Sequence, residues 1–322
     1  MTVMRSAFML YMLLAMQFAC KAQVRDSLPV TESYVRLHYD NDFFSATDRY
    51  YTQGIQLQFI HRWVRFSPVA YALAGFGKNA RNYYGLNFEQ DCFTPKSIRY
   101  DTVNFLERPF AATAFVSHFR ISLDEPRKQL LQTQLDLGVI GPCAYCEEEQ
   151  KAIHKALVNI QPLGWEAQIA SDYIINYRIA YEKAILYVPH AQVMATSALR
   201  AGTLYTDGSL GMHARVGWMN PYFNNLGIDP SGGRRFQLYL FLNANARLVA
   251  YNATMQGGVF YNQNSTFTIP DQDISRVVLD GTAGIHLVIR RVRLEYSRSY
   301  ITPEFVRGVD HGWGRVAVVV GF

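Results

Sequence analysis

The last eight residues, Arg315-Val316-Ala317-Val318-Val319-Val320-Gly321-Phe322, put Val316, Val318, Val320 and Phe322 on one parity and Arg315, Ala317, Val319 and Gly321 on the other. Successive side chains of a strand point to opposite faces, so this stretch predicts a strand with one apolar face that stops on an aromatic ring. Such an ending suits the closing strand of an outer-membrane barrel. A buried last strand of a soluble sheet is the plainer alternative. The other end of the chain helps to separate them. Arg5 is followed by an apolar run from Ala7 to Ala19, broken only by Gln17. Cys20-Lys21-Ala22 then places small residues at the −3 and −1 positions of a cut before Gln23, the layout of a secretory signal over residues 1–22. The run is too short to cross a bilayer as a helix. Removing it takes away Arg5 and Lys21 and no acid, so the net charge falls from +5 to 5 − 2 = +3. That mild excess gives no reason to expect a nucleic-acid partner.

The same period of two recurs inward from the C-terminus. Ile175, Tyr177, Ile179 and Tyr181 alternate with Asn176, Arg178 and Glu182, and Thr133, Leu135, Leu137 and Val139 with Gln132, Gln134 and Asp136. Val35, Leu37 and Tyr39 alternate with Arg36, His38 and Asp40, and Ile55, Leu57 and Phe59 with Gln56 and Gln58. The stretches 173–188, 236–250 and 277–301 are too long for ordinary soluble strands or hairpins, whereas tilted membrane strands need about 9–11 residues each. The predicted fold is therefore all-β: a transmembrane antiparallel barrel of about a dozen strands, formed by a single domain over residues 23–322.

The composition agrees. Charged residues make up 18% of the chain, against the usual quarter, which excludes disorder. Mean hydropathy is −0.05, as expected when an apolar exterior and a polar lumen cancel. The 21 Tyr and 20 Phe favour strands and suit water–lipid boundaries. Asp124-Glu125-Pro126 and Val188-Pro189 read as tight turns. The long connection from Gly141 to about Gln168 breaks the alternation, and Glu147 to Val158 within it favours a short helix. Gln150 and His154, four residues apart, share one face of that helix.

Three groups could carry chemistry. Asp40-Asn41-Asp42-Phe43-Phe44 and Thr47 to Gly54 form the densest polar cluster, at the rim between two predicted strands. Carboxylates and an amide there could ligate a hard cation such as Ca²⁺, although on physics alone a polar turn satisfying backbone donors is the better explanation. His154 can take a proton from water near neutral pH. No G-x-S-x-G elbow and no H-E-x-x-H motif is present, which counts against the common serine hydrolases and zincins. Past the leader, three cysteines remain. The short Cys143-Ala-Tyr-Cys146 spacing in a secreted protein predicts a disulfide within the loop, leaving Cys92 unpaired.

The sequence resembles the outer-membrane lipid A deacylases of the LpxR type. The resemblance rests on Asn41-Asp42-Phe43-Phe44, Thr47-Asp48-Arg49-Tyr50-Tyr51-Thr52-Gln53-Gly54-Ile55, Gln90-Asp91-Cys92-Phe93-Thr94-Pro95 and Glu107-Arg108-Pro109-Phe110-Ala111. It continues through Gly138-Val-Ile-Gly141-Pro142, Gln150, His154 and Gly164-Trp165-Glu166-Ala167-Gln168. These blocks cover the N-terminal half; the C-terminal half agrees in strand pattern and length. The resemblance implies a twelve-stranded barrel with a Ca²⁺-dependent active site near its outer surface, removing the 3′-linked acyloxyacyl chain of lipid A. It implies His154 as the base that activates a water, Asn41, Thr52 and Gln150 lining the site, and Asp42 beside the metal. Lipid A or lipopolysaccharide would be the substrate, outer-membrane lipids the surroundings and a monomer the working state. Glu107 stands in place of the family's Asp, Val158 in place of a frequent Gly, and Ile160 falls about where the family carries an acidic residue. A non-catalytic barrel (porin or surface binder) and a phospholipase on the same scaffold are the competing readings.

Overall fold

The computed structural model describes residues 32–41, 49–77, 79–100, 102–228 and 233–322. The predicted leader lies outside them. Twelve antiparallel strands close into a barrel, each paired with its neighbours in sequence, and β12 returns to β1. In order they are β1 (Tyr34–Asn41), β2 (Tyr50–Ile60), β3 (Arg81–Thr94), β4 (Ala111–Asp124), β5 (Gln129–Ile140) and β6 (Asp172–Val188). β7 (Ala191–Gly202), β8 (Tyr205–Trp218), β9 (Phe236–Asn252), β10 (Val277–Ile289), β11 (Val292–Ile301) and β12 (His311–Gly321) complete the wall. The C-terminal strand closes it as its alternation predicted, with register Tyr34↔Gly321 through Asn41↔Gly314.

Alternation decides which way each side chain points. Leu37, Leu57, Val116, Leu137, Leu240 and Leu279 are exposed on the outer face, where the bilayer replaces water. The opposite parity faces the lumen and carries paired charge. Arg315 donates two hydrogen bonds to Asp40 at 2.7 and 2.8 Å, and His38 sits 2.9 Å from the same carboxylate. Arg36 pairs with Glu295 at 2.9 Å. At the end where β1 starts and β12 stops, the lumen is filled rather than open. Phe223 and Ile228, from the β8–β9 connection, pack with inward-facing Tyr34, Phe119, Met194 and Val319.

The hairpins at this end include the predicted turns: Val188↔Ala191 brackets Pro189, and Asp124↔Gln129 brackets Glu125-Pro126. The two longest connections, β5–β6 and β9–β10, lie at the other end. The β5–β6 connection holds helix α1 (Cys146–Ala156), close to the predicted span, and the β9–β10 connection holds α2 (Ala253–Gln256). No helix among the described residues is long and apolar enough to cross a membrane.

Candidate active site

β1 and β2 reach the loop end at the polar cluster, and alternation splits it. Asp40 turns into the lumen toward Arg315 and Tyr51. Asn41 turns onto the outer face, where its Nδ2 donates to the Tyr39 hydroxyl at 3.1 Å and to the Thr52 carbonyl at 3.3 Å. A bulge between Tyr51 and Gln53 shifts the β2–β3 register and leaves Thr52 unpaired in the ladder. Thr52 Oγ1 meets Thr94 Oγ1 at 2.7 Å, and both residues are buried. Asp42 lies outside the described residues.

Two residues before Thr94 on β3, Cys92 shares its face, and a disulfide joins it to Cys146 with Cα atoms 5.7 Å apart. This corrects the expected Cys143–Cys146 pairing. Gly141 opens a 3-10 turn over Pro142–Ala144, and Tyr145 follows in the left-handed conformation (φ 61°). That turn aims Cys146, the first residue of α1, at the wall and leaves Cys143 exposed, its Sγ 2.9 Å from the Ser171 hydroxyl. Gly141 itself has φ 102°, and a Cβ there would come within 2.7 Å of the Ser171 backbone nitrogen. Gln90, on the same face of β3, donates to the Ala144 carbonyl at 2.7 Å and ties the turn down a second time.

Helix α1 is thereby held against the outer wall. Cys146, Gln150 and His154, at i, i+4 and i+8, are its buried residues and form one stripe. Its outer face carries Glu147 and Lys151, paired at i,i+4, and the Glu147 carboxylate holds the Lys151 ammonium above its ordinary pKa. Beneath the helix lies an apolar cluster of Ile98, Phe110, Ala112, Ala144 and Trp165 around the disulfide. Trp165 is fully buried and donates its indole N–H to Gln150 Oε1 at 2.8 Å. An indole N–H can only donate, so the acceptor is the Gln150 oxygen. Gln150 Nε2 is then a buried donor with no partner among the described residues.

His154 Nδ1 lies 2.5 Å from the Ile160 carbonyl oxygen. A carbonyl only accepts, so Nδ1 carries the proton and Nε2 keeps its lone pair. The carbonyl reaches back because Val158 reverses the chain in the left-handed conformation, φ 54°. Glycine takes that conformation without strain, whereas Val158 carries a β-branched side chain in it. Ile160 thus contributes its backbone carbonyl to the position of His154.

Asn41 and Thr52 meet at one corner of the outer wall, and Gln150 and His154 share one helix face. Thr94, Cys92 and Cys146 connect the two pairs. The missed contributors are Thr94, Trp165 and the Ile160 carbonyl. Thr94 and Trp165 stand inside motifs visible in the sequence, whereas a backbone carbonyl has no residue-type signature. The oxygen donors of Asn41, Thr52 and Thr94 suit a hard cation, which prefers oxygen ligands. Among the described residues no cluster of three or more His, Cys, Asp or Glu stands close enough to hold a metal.

Residues 7–322 match the family described as outer membrane protein LpxR. Among solved structures, LpxR from Salmonella typhimurium aligns with a TM-score of 0.72 at 19% identity, covering 90% of this chain and 100% of that one. The β domain of the Bordetella autotransporter BrkA aligns with a TM-score of 0.46 at 10% identity, covering 90% and 99%. No curated protein sequence matches the chain.

Proposed function

Because the chain belongs to the LpxR family of outer membrane proteins, we propose that it is an outer-membrane esterase that hydrolyses an acyl chain, the 3′-acyloxyacyl chain, from lipid A or lipopolysaccharide. The observation that carries this reading is the His154 tautomer fixed by the Ile160 carbonyl. With Nδ1 protonated and held, Nε2 accepts a proton from water, and the hydroxide oxygen attacks the ester carbonyl carbon. The tetrahedral intermediate collapses by breaking the acyl C–O bond. The imidazolium then returns its proton to the sugar alkoxide as the fatty acid leaves. Gln150 Nε2, oriented by Trp165 and without an acceptor among the described residues, serves as the hydrogen-bond donor to the developing oxyanion. Ca²⁺, when bound, would be held by Asp42 with the Asn41 and Thr52 oxygens and would polarise the ester carbonyl. No serine nucleophile is needed.

The test is mass spectrometry of lipid A incubated with refolded protein. Wild type removes one acyloxyacyl chain. His154→Gln, with barrel folding confirmed by heat-modifiable gel mobility, and wild type in EDTA leave the chain count unchanged. A folded wild type that never changes the chain count refutes the esterase reading, and cleavage of phospholipid in its place assigns the scaffold to a phospholipase.

A further inference from the structure

Beyond the strand ends, the loops enclose a cavity of about 810 Å³, walled by the β3–β4 connection, Gly164, Ala167 and Phe267. Its volume falls within the range of small-molecule sites, about 300–1,000 Å³. A second cavity of about 210 Å³ is lined by Lys96, Ser97, Ile98, Arg99, Asn159 and Ile160. Lys96 and Ser97 line both. Ile160, in the smaller one, is the residue whose carbonyl holds His154. The two spaces thus run side by side from the catalytic imidazole's support to the larger cavity.

The lining of the larger cavity mixes flat rings with short polar groups. Tyr100 and Phe105 are two-thirds exposed, at 67% and 65%, and Phe105 meets Phe267 edge to face at 5.2 Å. Thr102 and Asn104 stand among them, both exposed. Asn104 Oδ1 accepts from the Leu106 backbone N–H, which fixes its amide. A cavity for an acyl chain would be uniformly apolar and would lie at the depth of the outward-facing Leu and Val side chains. This one lies in the loops past Thr94 and carries hydroxyl, amide and ammonium groups. A pyranose ring has apolar C–H faces and hydroxyl edges, which rings and short polar side chains satisfy together.

We infer that this cavity binds the saccharide part of the glycolipid, anchoring the sugars while the adjoining His154 site works on the ester. The inference names a further part of the proposed substrate and so rests on the esterase reading. The probe is the oligosaccharide released from lipopolysaccharide and stripped of all acyl chains, observed by saturation-transfer NMR with the full-length protein in detergent. Wild type and His154→Gln transfer saturation to the sugar-ring protons. The Phe105→Ala/Phe267→Ala variant, and the milder Asn104→Ala, lower that transfer at least fivefold while retaining heat-modifiable mobility. Absence of transfer in wild type, transfer unchanged in both variants, or displacement of the sugar by a short-chain fatty acid overturns the inference. Sugar binding by a folded wild type that does not deacylate refutes the esterase reading and leaves the cavity assigned. Deacylation without sugar binding removes only the cavity assignment.

Discussion

Replacing both Cys92 and Cys146 by alanine should loosen helix α1 before it weakens the barrel. The bridge spans 54 residues of sequence, and the chain-entropy relation for a loop of that length gives about 4 kcal/mol against a fully unfolded chain. That figure does not describe the helix, because β3, β4 and β5 are already held by their ladders. With the barrel intact, the free segment closed by the bridge runs only from Ile140, the end of β5, to Cys146. A loop of about six residues gives about 2.2 kcal/mol, or about a 40-fold rise in the undocked population. Both cysteines are almost fully buried, so the alanines lose some packing as well. The assay is amide hydrogen exchange followed by mass spectrometry on refolded protein, comparing peptides from α1 with peptides from β4 and β9. Exchange across Cys146–Ala156 should accelerate about 40-fold with the strands unchanged, and deacylation should fall because His154 is presented by that helix. Unchanged α1 protection would refute the claim that the bridge docks the helix. Loosening of β4 alongside α1 would show that the anchor supports the wall instead.

Other substitutions probe separate parts of the molecule. Val158→Gly should stabilise the end of α1 by about 1 kcal/mol, because a β-branched residue is held at φ 54° where glycine is unstrained; slower exchange in the last turn would register it, and no change would remove the strain argument. Trp165→Phe takes the donor from Gln150 Oε1 and leaves a buried amide oxygen unpaired, a cost of about 1–3 kcal/mol; kcat should fall more than KM rises if Gln150 acts on the transition state. Asp40→Asn removes the charge facing Arg315 and His38, and breaking such a pair costs about 3 kcal/mol or more. The variant should lose its heat-modifiable form at lower temperature, with α1 exchange unaffected.

The sequence carried the barrel because lipid imposes a simple rule on it. One face of every strand must be apolar, so period-two alternation is legible at Val35, Leu57, Leu137 and Ile179 without an alignment. The closing strand and the unusually long β6 and β9 were visible for the same reason. The helix was visible by contrast, as the one place where the period failed. Cysteine pairing was not legible. Cys143 and Cys146 are neighbours in sequence, but the left-handed Tyr145 between them turns one outward and the other to the wall. The polar cluster concealed a division of labour for a related reason: adjacent Asp40 and Asn41 face opposite sides of β1, so of these two Asn41 alone lies on the face of the candidate site. Another feature had no sequence signal at all. The β2–β3 connection folds along the outer wall, where Leu73 and Ala74 carbonyls accept from Arg120 and Thr133. The polar residues beneath it, including His118 and Asn82, break the apolar pattern of β3 and β4; the Val64 carbonyl faces His118 Nε2, while Asn82 donates to the Ala80 carbonyl and accepts from Arg120 of β4.

Outside placement of the site follows from what each side of the wall can offer. The lumen is crowded with charge pairs that cross-link neighbouring strands, and its termini-side mouth is filled by Phe223 and Ile228. A lipid ester has no route to a histidine there without leaving the bilayer and displacing those pairs. On the outer face the strands present apolar surface, and a glycolipid can approach laterally with its acyl chains still in the leaflet. The wall alone cannot hold an imidazole there, because a polar side chain facing lipid would be unsatisfied. Helix α1 resolves this by bringing its own polar stripe and its own partners: Trp165 for Gln150 and the Ile160 carbonyl for His154. The disulfide and the Gln90–Ala144 hydrogen bond fix the helix at the rim of the outer wall. On the proposed reading, such a hydrolase keeps the closed barrel as scaffold and joins the docked loop's His154 and Gln150 to Asn41 and Thr52 at the rim of the wall.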